Sequence, residues 1–508
     1  MTSSTGVELG SRTGRAVLLA AVLGSGMAGL DSSVVNVALR TIGTDLDASL
    51  AQLQWINNGY LLTLASLILL GGALGDRFGR RRVFMIGVVW FAAASLLCGL
   101  APNPETLILA RLVQGIGAAL LTPGSLAMIQ GAFVPADRGR AIGAWSGLGS
   151  ISFAAGPFIG GALIDYASWR WIFLINLPIA VVTVLVAQRA VPETRDPESV
   201  PGIDLAGAAL GAVALGGVTY ALIEWGSAVA LVTAVGGAVA AVGFLLREAS
   251  ARHPMLPLEL FGERTFSAAN LMTLVVYAAL GAIPLFLVLQ LQTVLGYGAL
   301  RAGTGTLPMT LCMLFLASYG GALGSRIGPR IPMTVGPLVM AVGALALTVV
   351  DADSSYWTHV LPGLTVFGLG LALMVAPLTA TVLAAAPDRH AGIASGVNNA
   401  VARAGALLAV AALPLAVGLA GEEYADPVAM NSGYDKAMVI CAVMLAAGGA
   451  LSWLLIRNPR PQETEEAQVA SVTLGTVRST CPPSLSRARP GRRHLPGLRR
   501  RAASRRSA

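Results

Sequence analysis

Long apolar runs follow one another along the chain, separated by short polar segments. Runs of about 20 residues can cross roughly 30 Å of hydrocarbon as helices, and they lack the alternation of membrane-barrel strands. The pattern predicts an all-α integral membrane protein. We predict fourteen membrane-spanning helices, at residues 16–38, 53–75, 83–101, 105–127, 141–164, 170–190, 204–224, 228–246, 268–290, 303–323, 333–350, 357–382, 397–420 and 437–456.

Composition supports this prediction and excludes several classes of protein. Of the 508 residues, 55% are hydrophobic and only 12% are charged, whereas charged residues make up about 25% of a typical soluble domain. A soluble fold of this length needs more charge to cover its core, which argues against a cytosolic enzyme or a DNA-binding domain. The first apolar run is too long for a signal peptide, so we expect it to be retained.

The basic residues are distributed unevenly. The formal net charge is +8, but ten arginines lie after Ser471, and the rest of the chain has 24 Lys and Arg against 26 Asp and Glu. Eighteen basic residues fall in segments on one side of the predicted membrane, against four in loops on the other side. Cytoplasmic loops carry such an excess. Both termini are therefore predicted to be cytoplasmic, and no nucleic-acid partner is expected.

A short internal repeat divides the chain. Residues 71–81 read GGALGDRFGRR and residues 320–330 read GGALGSRIGPR, with eight of eleven positions identical. The first copy follows the second predicted span, and the second copy follows the tenth. This spacing indicates two six-span halves with two inserted spans between them. Two such halves with a site between them are a plan typical of transporters.

Five segments resemble motifs of the fourteen-span drug:proton antiporter branch of the major facilitator superfamily. They are GGALGDRFGRRR at 71–82, LARLVQGIGAAL at 109–120, Gly156-Pro157 with Gly160-Gly161, LDSSVVNVAL at 30–39 and WRWIFLINLPI at 169–179. The resemblance covers roughly residues 12–460. Arg40 departs from it, because the first-span motif more often has Pro there.

The repeat and the resemblance together imply the major facilitator fold, with two six-helix halves plus two inserted helices. We expect a cytoplasmic N-terminus at 1–15, an N-terminal half at 16–190, inserted helices at 204–246, a C-terminal half at 268–456 and a disordered basic tail at 457–508. From about residue 478 the tail falls outside the resemblance. It could bind anionic lipid, be disordered or be an out-of-frame extension of a GC-rich gene.

Two charged residues lie at similar depths inside predicted spans. Asp31 is seven residues from the outer end of span 1 and Arg111 six residues from that of span 4, or about 10 and 9 Å. A buried carboxylate can avoid its desolvation cost by binding a proton, whereas arginine stays charged. We expect the two to face one cavity and couple proton binding to transport. A structural Asp bonded to Ser32 or Ser33, and an Arg bound to backbone carbonyls, are the alternatives.

The resemblance assigns roles to two further motifs. It implies a conformational latch in the loop 71–82, at Gly72, Gly75, Asp76, Arg77, Gly79 and Arg80. Asp76 could accept hydrogen bonds from a helix N-terminus of the other half, although the arginines alone could simply signal topology. The resemblance also implies an antiporter hinge in the fifth span, at Gly156, Pro157, Gly160 and Gly161. Ordinary close packing of small residues would give the same pattern.

Polar side chains at membrane depth need partners and are candidates for lining a substrate cavity. The candidates are Asn57, Asn58, Tyr60, Gln114, Gln292, Asn398 and Arg403. Arg403 matches a basic residue of the family's thirteenth span. A structural role is the alternative for the other polar residues.

The function predicted from these residues is proton-coupled antiport that exports hydrophobic or amphipathic drugs or antibiotics by alternating access. An uptake symporter, or an exporter of an endogenous metabolite, is the alternative. Four scattered His and the lack of a P-loop motif argue against an enzyme and against ATP drive. We expect no cofactor or metal, since a proton gradient supplies the drive. The expected partners are a drug-like molecule, protons and the lipid of a bacterial cell membrane, and we expect a monomer.

Overall fold

The computed structural model describes residues 6–195, 204–251, 254–387 and 391–458. Within these ranges the regular secondary structure is helical, apart from an isolated bridge between Val7 and Phe133. Fourteen helical segments are long and apolar enough to cross a membrane, so the predicted all-α fold with fourteen spans is confirmed. Residues 459–508, which hold nearly all of the predicted tail, lie outside the described residues.

The described helices fall into three groups. The N-terminal half comprises α1 (Arg12–Leu46), α2 (Leu50–Phe78), α3 (Arg80–Gly99), α4 (Pro104–Ala132), α5 (Pro135–Tyr166), α6 (Trp171–Leu174) and α7 (Asn176–Ala190). The inserted helices are α8 (Leu205–Ile223) and α9 (Ala228–Ser250). The C-terminal half comprises α10 (Arg264–Thr293), α11 (Ala299–Gly305), α12 (Leu307–Ile327), α13 (Arg330–Ala346), α14 (Leu361–Ala384), α15 (Ala391–Val417) and α16 (Pro427–Leu455). One span consists of α6 with α7, and another of α11 with α12.

Several helices extend beyond the apolar residues that predicted them. The first span, predicted at 16–38, continues to Leu46 and ends at Asp47, which adopts a left-handed conformation with φ 52°. Ser49 then begins α2 through a reciprocal capping box with Gln52, which satisfies two free backbone amides. Backbone hydrogen bonding continues past the apolar run, so hydropathy alone placed these ends too early.

The sequence repeat is also a structural repeat. Gly71 of α2 lies against the backbone carbonyl of Ala119 in α4, and Gly320 of α12 lies in the same way against Ala372 in α14. A side chain at either glycine would collide with that backbone. Glycine is therefore required at both positions for the two helices of each pair to pack closely.

Equivalent caps follow the two repeat copies. The backbone amide of Arg81 donates to Glu193 Oε1 at 3.0 Å, and the amide of Arg330 donates to Asn458 Oδ1 at 3.1 Å. Both acceptors come from the segment after the last helix of their own half. Each cap therefore joins the start of the half's third span, α3 or α13, to the end of that half.

The inserted helices contact both halves on one side of the bundle. Helix α8 packs against α2 and α15, with Leu62 of α2 beside Gly216 of α8 and the rings of Trp55 and Tyr220 6.0 Å apart. Helix α9 packs mainly on α8 and exposes large apolar side chains such as Val232. We infer that α9 faces lipid while α8 covers the seam between the halves.

Successive spans are antiparallel, which gives the bundle two chemically different ends. We call the end at which α1 begins the basic face, since it carries Arg77, Arg80, Arg81, Arg82, Arg138, Arg140, Arg326 and Arg330. We call the other end the opposite face. The hydrogen bonds that join the N-terminal and C-terminal halves through Arg40, Gln54, Asp165 and Tyr424 lie toward the opposite face.

The seam between α5 and the tenth span shows the same asymmetry. Helix α5 packs extensively against α11, at the opposite face, but only slightly against α12, which continues to the basic face. Toward the basic face, Gly139, Gly143 and Gly147 of α5 have open space where a side chain would be. The halves are therefore closed together at the opposite face and separated at the basic face along this seam.

We predict that the stability of the protein depends to a similar degree on the equivalent glycines of the two repeat copies, Gly79 and Gly328. Gly79 has φ 111° and Gly328 has φ 84°, and a side chain there costs about 1–3 kcal/mol in strain. Gly79→Ala and Gly328→Ala should each lower the apparent melting temperature of the detergent-solubilised protein. Gly147→Ala, with open space around it, is the control and should leave it unchanged or raise it slightly. Equal melting temperatures for all three variants would contradict the prediction.

Candidate functional site

Asp31 and Arg111 form a direct ion pair inside the N-terminal half. Arg111 Nη1 lies 2.5 Å from Asp31 Oδ2, and both side chains are completely buried. The same guanidinium donates from Nε to the Ile56 carbonyl at 3.0 Å. The two residues therefore meet, but the expectation that they face one cavity is wrong for this conformation, because helices α1, α2 and α4 bury both side chains.

Three uncharged polar side chains complete this buried cluster. Gln114 donates to Asp31 Oδ1 at 2.8 Å and accepts from Arg111 at 2.6 Å. Asn176 also donates to Asp31 Oδ1, at 3.3 Å. Ser95 accepts from both amides, at 2.8 and 3.3 Å. The carboxylate is thus held by donors from α4 and α7, with α3 supporting them.

Aromatic rings cover the guanidinium. The Tyr60 ring centroid lies 4.4 Å from Arg111 Cζ and the Phe173 centroid 5.8 Å from it. A cation over an aromatic face is stabilised by the ring quadrupole, by about 2 kcal/mol or more when it is desolvated. Tyr60, predicted to line a cavity, instead packs on Arg111 and donates a hydrogen bond to the Ala28 carbonyl at 3.4 Å.

Sequence reasoning missed Ser95 and Asn176. Asn176 lies within the segment WRWIFLINLPI, where a polar residue in an apolar span was a visible signal. Ser95 gave no such signal, because a serine in a membrane helix often satisfies itself on its own backbone. Only the packing of α3 and α7 against α1 and α4 shows that both belong to the cluster.

The predicted hinge residues face two different neighbours. A side chain at Gly156 or Gly160 would meet Ser33 or Val34 of α1. Gly161 lies against Leu300 of α11, across the seam between the halves. The motif therefore permits close packing both within the N-terminal half and between the halves.

The Pro157 carbonyl lies beside Gly303 of α11 on the same seam. About two turns further along α5, Asp165 accepts hydrogen bonds from the backbone amides of Ala299 and Leu300, at 3.1 and 2.9 Å. These contacts fix the end of α5 to the start of α11 at the opposite face.

The predicted latch residues contact their own half in this structure. Asp76 pairs with Arg80, Nε to Oδ1 at 2.8 Å, and Arg80 also donates to the Ala127 carbonyl at 3.3 Å. Arg77 lies over the ring of Phe78. The expectation that Asp76 accepts from a helix of the other half is therefore wrong for this conformation, because the halves are apart at the basic face. Gly72 and Gly75 meet only loose contacts, with Pro123 Cβ 3.7 Å from a side chain at Gly72.

A second group of polar contacts joins α1 to α10 at the opposite face. Arg40 Nη1 donates to the Gln292 carbonyl at 2.5 Å, and Gln292 Nε2 donates to the Val37 carbonyl at 2.9 Å. We call these three residues the α1–α10 gate. Gln292 was predicted to line the cavity, but it lies in this closed contact. Arg40, the departure from the first-span motif, finds its partner here.

The remaining cavity candidates have separate positions. Asn398 donates to Asn270 Oδ1 and Thr273 Oγ1, at 3.2 and 2.8 Å, inside the C-terminal half, so it ties α15 to α10. Asn57 and Asn58 are buried in α2, and neither amide atom of Asn58 has a hydrogen-bond partner. Gln114 belongs to the ion-pair cluster. Only Arg403 is half-buried at the seam without a hydrogen bond or ion pair among the described residues.

Comparison with protein families matches the Major Facilitator Superfamily model at residues 21–204 and 202–410. A methylenomycin A resistance protein of Bacillus subtilis is 37% identical over 88% of this chain and 96% of its own length. A puromycin resistance protein of Streptomyces alboniger is 35% identical over 91% of this chain and 94% of its own. A cephamycin export protein of Amycolatopsis lactamdurans is 32% identical over 89% and 95%.

Solved structures share the fold at low sequence identity. A bacterial homologue of the human drug peptide transporters superposes with a TM-score of 0.65 at 14% identity, covering 88% of this chain and 98% of its own. A D-xylose–proton symporter superposes with a TM-score of 0.63 at 16% identity, covering 87% and 98%. These likenesses concern the fold alone.

We predict that Arg111 and Arg403 differ sharply in their effect on stability. Arg111→Gln leaves Asp31 as a buried charge without its counter-ion, which costs about 3–5 kcal/mol. Arg403→Gln removes no hydrogen bond or ion pair among the described residues and should cost no more than about 1 kcal/mol. The apparent melting temperature in detergent should therefore fall much further for Arg111→Gln. Similar losses for both variants would refute the assignment of the buried pair.

Proposed function

The chain belongs to the major facilitator superfamily and is a multi-pass membrane transporter rather than an enzyme, and we propose that it exports hydrophobic or amphipathic drugs or antibiotics in exchange for protons. Support for export comes from relatives described as resistance or export proteins, which match most of this chain. Support for proton exchange comes from the buried pair of Asp31 and Arg111, which is the observation that carries the proposal.

Proton binding at Asp31 changes the charge of a site that water does not reach. As a carboxylate, Asp31 accepts from Arg111, Gln114 and Asn176. A protonated Asp31 has no negative charge for Arg111, whose guanidinium cannot lose its own proton. The attraction between α1 and α4 then weakens, and the cluster favours a different packing of these helices. No cofactor is needed for this step, since the proton itself supplies the change.

Helix α1 connects this site to the gate. Val37 and Arg40, which contact Gln292 of α10, lie six and nine residues beyond Asp31 on the same continuous helix, or about 9 and 14 Å along its axis. A shift of α1 on protonation therefore also acts on the contacts that close the opposite face. This route links the protonation state of Asp31 to the choice between the two faces. In an exchange, the proton binds while the opposite face is open and is released at the basic face.

The direction of transport follows from the charge of the two faces. We assign the basic face to the cytoplasm, because cytoplasmic loops carry an excess of Lys and Arg, and we propose that both termini are cytoplasmic. This conformation is then open to the cytoplasm. A substrate then enters from the cytoplasm or inner leaflet, and leaves once the opposite face opens. We assign the protein to a bacterial cell membrane. We propose that it acts there as a monomer, with the complete transport site formed by one chain.

The first functional prediction concerns the proton. Asp31→Asn in proteoliposomes should abolish drug efflux driven by an imposed pH gradient, because the side-chain amide of asparagine does not bind a proton near neutral pH. Asp45→Asn is the matched control: Asp45 lies on the same helix but is exposed and pairs with Arg170 at 2.9 Å. That variant should keep at least half of the wild-type rate.

The assay compares the accumulation of ethidium, puromycin and a hydrophobic carboxylate dye with and without a protonophore, in cells and in proteoliposomes. Unimpaired proton-driven efflux by Asp31→Asn would overturn proton coupling through this residue. Wild-type protein that changes the accumulation of no tested drug would argue against export.

The second functional prediction concerns alternating access. Cysteines at Val37 and Gln292, in a chain whose four native cysteines are replaced, should form a cross-link under mild oxidation, since these residues touch across the α1–α10 gate. The cross-link should stop transport, and reduction should restore it. Each single-cysteine variant is the control and should stay active under oxidation. Full transport by the cross-linked protein would show that the gate does not need to open.

A further inference from the structure

We infer that Arg403 recognises an anionic group, so that this transporter selects hydrophobic compounds carrying a carboxylate or a comparable acidic group. The inference rests on the proposed export function and adds the substrate class to it. It starts from the positive charge of Arg403, which lies in the membrane interior and has no counter-ion among the described residues.

Arg403 lies deep in the bundle at the seam between the halves. It is twelve residues from the start of α15 and fourteen from its end, so each end is about 18 Å or more away along the helix. Two residues of the same helix face, Ala400 and Leu407, pack in the apolar cluster of the N-terminal half. Arg403 lies between them in helical register. It is close enough to Tyr60 of α2 and Tyr277 of α10 to act electrostatically on both.

A polar stripe leads from the basic face to Arg403. Ser395, Asn399 and Arg403 follow one another at four-residue spacing on α15, and all three are partly or fully exposed. Side chains at this spacing share one face of a helix. A stripe ending in a charge is unfavourable against lipid, so it lines the open space between the separated halves.

No described carboxylate compensates Arg403. Helices α8, α10 and α14 have no Asp or Glu within their bounds. Asp76 of α2 lies two residues from the end of that helix. Asp435 of α16 lies eight residues from its helix end at the opposite face, whereas Arg403 lies fourteen residues from the corresponding end of α15, so the two differ in depth by about 9 Å. Asp31 is at comparable depth but is already held by Arg111. Among the described residues around the seam, Arg403 therefore carries a positive charge without a counter-ion.

This charge has a chemical consequence for the substrate. An arginine at the centre of a membrane is energetically costly, and a bound anion offsets that cost. A guanidinium binds a planar carboxylate through two parallel hydrogen bonds. The surrounding wall supplies apolar and aromatic contacts, including Tyr277. A hydrophobic acid satisfies both features, whereas a hydrophobic cation is repelled.

The experiment uses three fluorescent probes with one apolar body: pyrenebutyrate, pyrenebutanol and pyrenebutylamine, which are negative, neutral and positive at neutral pH. Binding is measured to the full-length protein in nanodiscs of phosphatidylcholine. The wild type should bind pyrenebutyrate at least tenfold more tightly than pyrenebutylamine, with pyrenebutanol in between. Arg403→Gln should lose most of this preference while keeping its affinity for pyrenebutanol, and Arg403→Lys should retain part of it.

A second variant tests the charge without removing the arginine. Asn399→Asp places a carboxylate one turn from Arg403, so an internal pair should form and the preference for pyrenebutyrate should disappear. Asn399→Ala is its control and should keep the preference. Circular dichroism and monodispersity on gel filtration verify that each variant is folded.

Three outcomes would overturn the inference: a wild type with no preference for pyrenebutyrate, an equal loss for all three probes in Arg403→Gln, or a preference that vanishes when phosphatidylglycerol is added. The last result would assign Arg403 to a lipid phosphate. Proton-driven efflux of the same probes separates this inference from the proposed function. Proton-driven efflux of the probes without a charge preference would support the proposed function and contradict this inference. Charge-selective binding without proton-driven efflux would support this inference and contradict the proposed function.

Discussion

The ion pair between Asp31 and Arg111 is the interaction on which the arrangement of the N-terminal half depends. Two charges that are withdrawn from water must be matched by each other and by further hydrogen bonds, or they destabilise the fold. Here the match requires groups from five helices, namely α1, α2, α3, α4 and α7. The cluster thus fixes how these helices pack, and any change in its protonation must be answered by a change in packing.

The same constraint explains how a change in the protonation of Asp31 can affect contacts at the opposite face. Asp31 shares a continuous helix with Val37 and Arg40, which close the opposite face against Gln292. The hinge glycines Gly156 and Gly160 lie directly against this helix. Because α1 packs closely on α5, a movement of α1 reaches the contacts of α5 with α11 as well as its own contacts with α10.

The two arginines in the membrane interior illustrate how context decides the role of a charge. Arg111 has a carboxylate, an amide, a carbonyl and aromatic rings around it, so it contributes to structure and coupling. Arg403 has none of these hydrogen-bond partners among the described residues and faces the open seam. Its charge is therefore available to a ligand. Similarity to resistance and export proteins supports the transport role, and this difference in charge balance bears on what is transported.

Sequence alone determined the fourteen spans, the repeat and the position of Asp31 and Arg111 inside membrane spans, because apolar length, glycine spacing and a charge within an apolar run are local properties. Tertiary structure decided the partners. Asn176 donates to Asp31 of the ion pair, and Asn398 bonds to α10 within its own half. Gln292 lies in the closed α1–α10 gate, and Asp76 and Arg80 of the predicted latch contact the N-terminal half. Which way a polar side chain points depends on the rotation and neighbours of its helix, and which face is open depends on contacts between halves. Neither property is written in the hydropathy of a single segment.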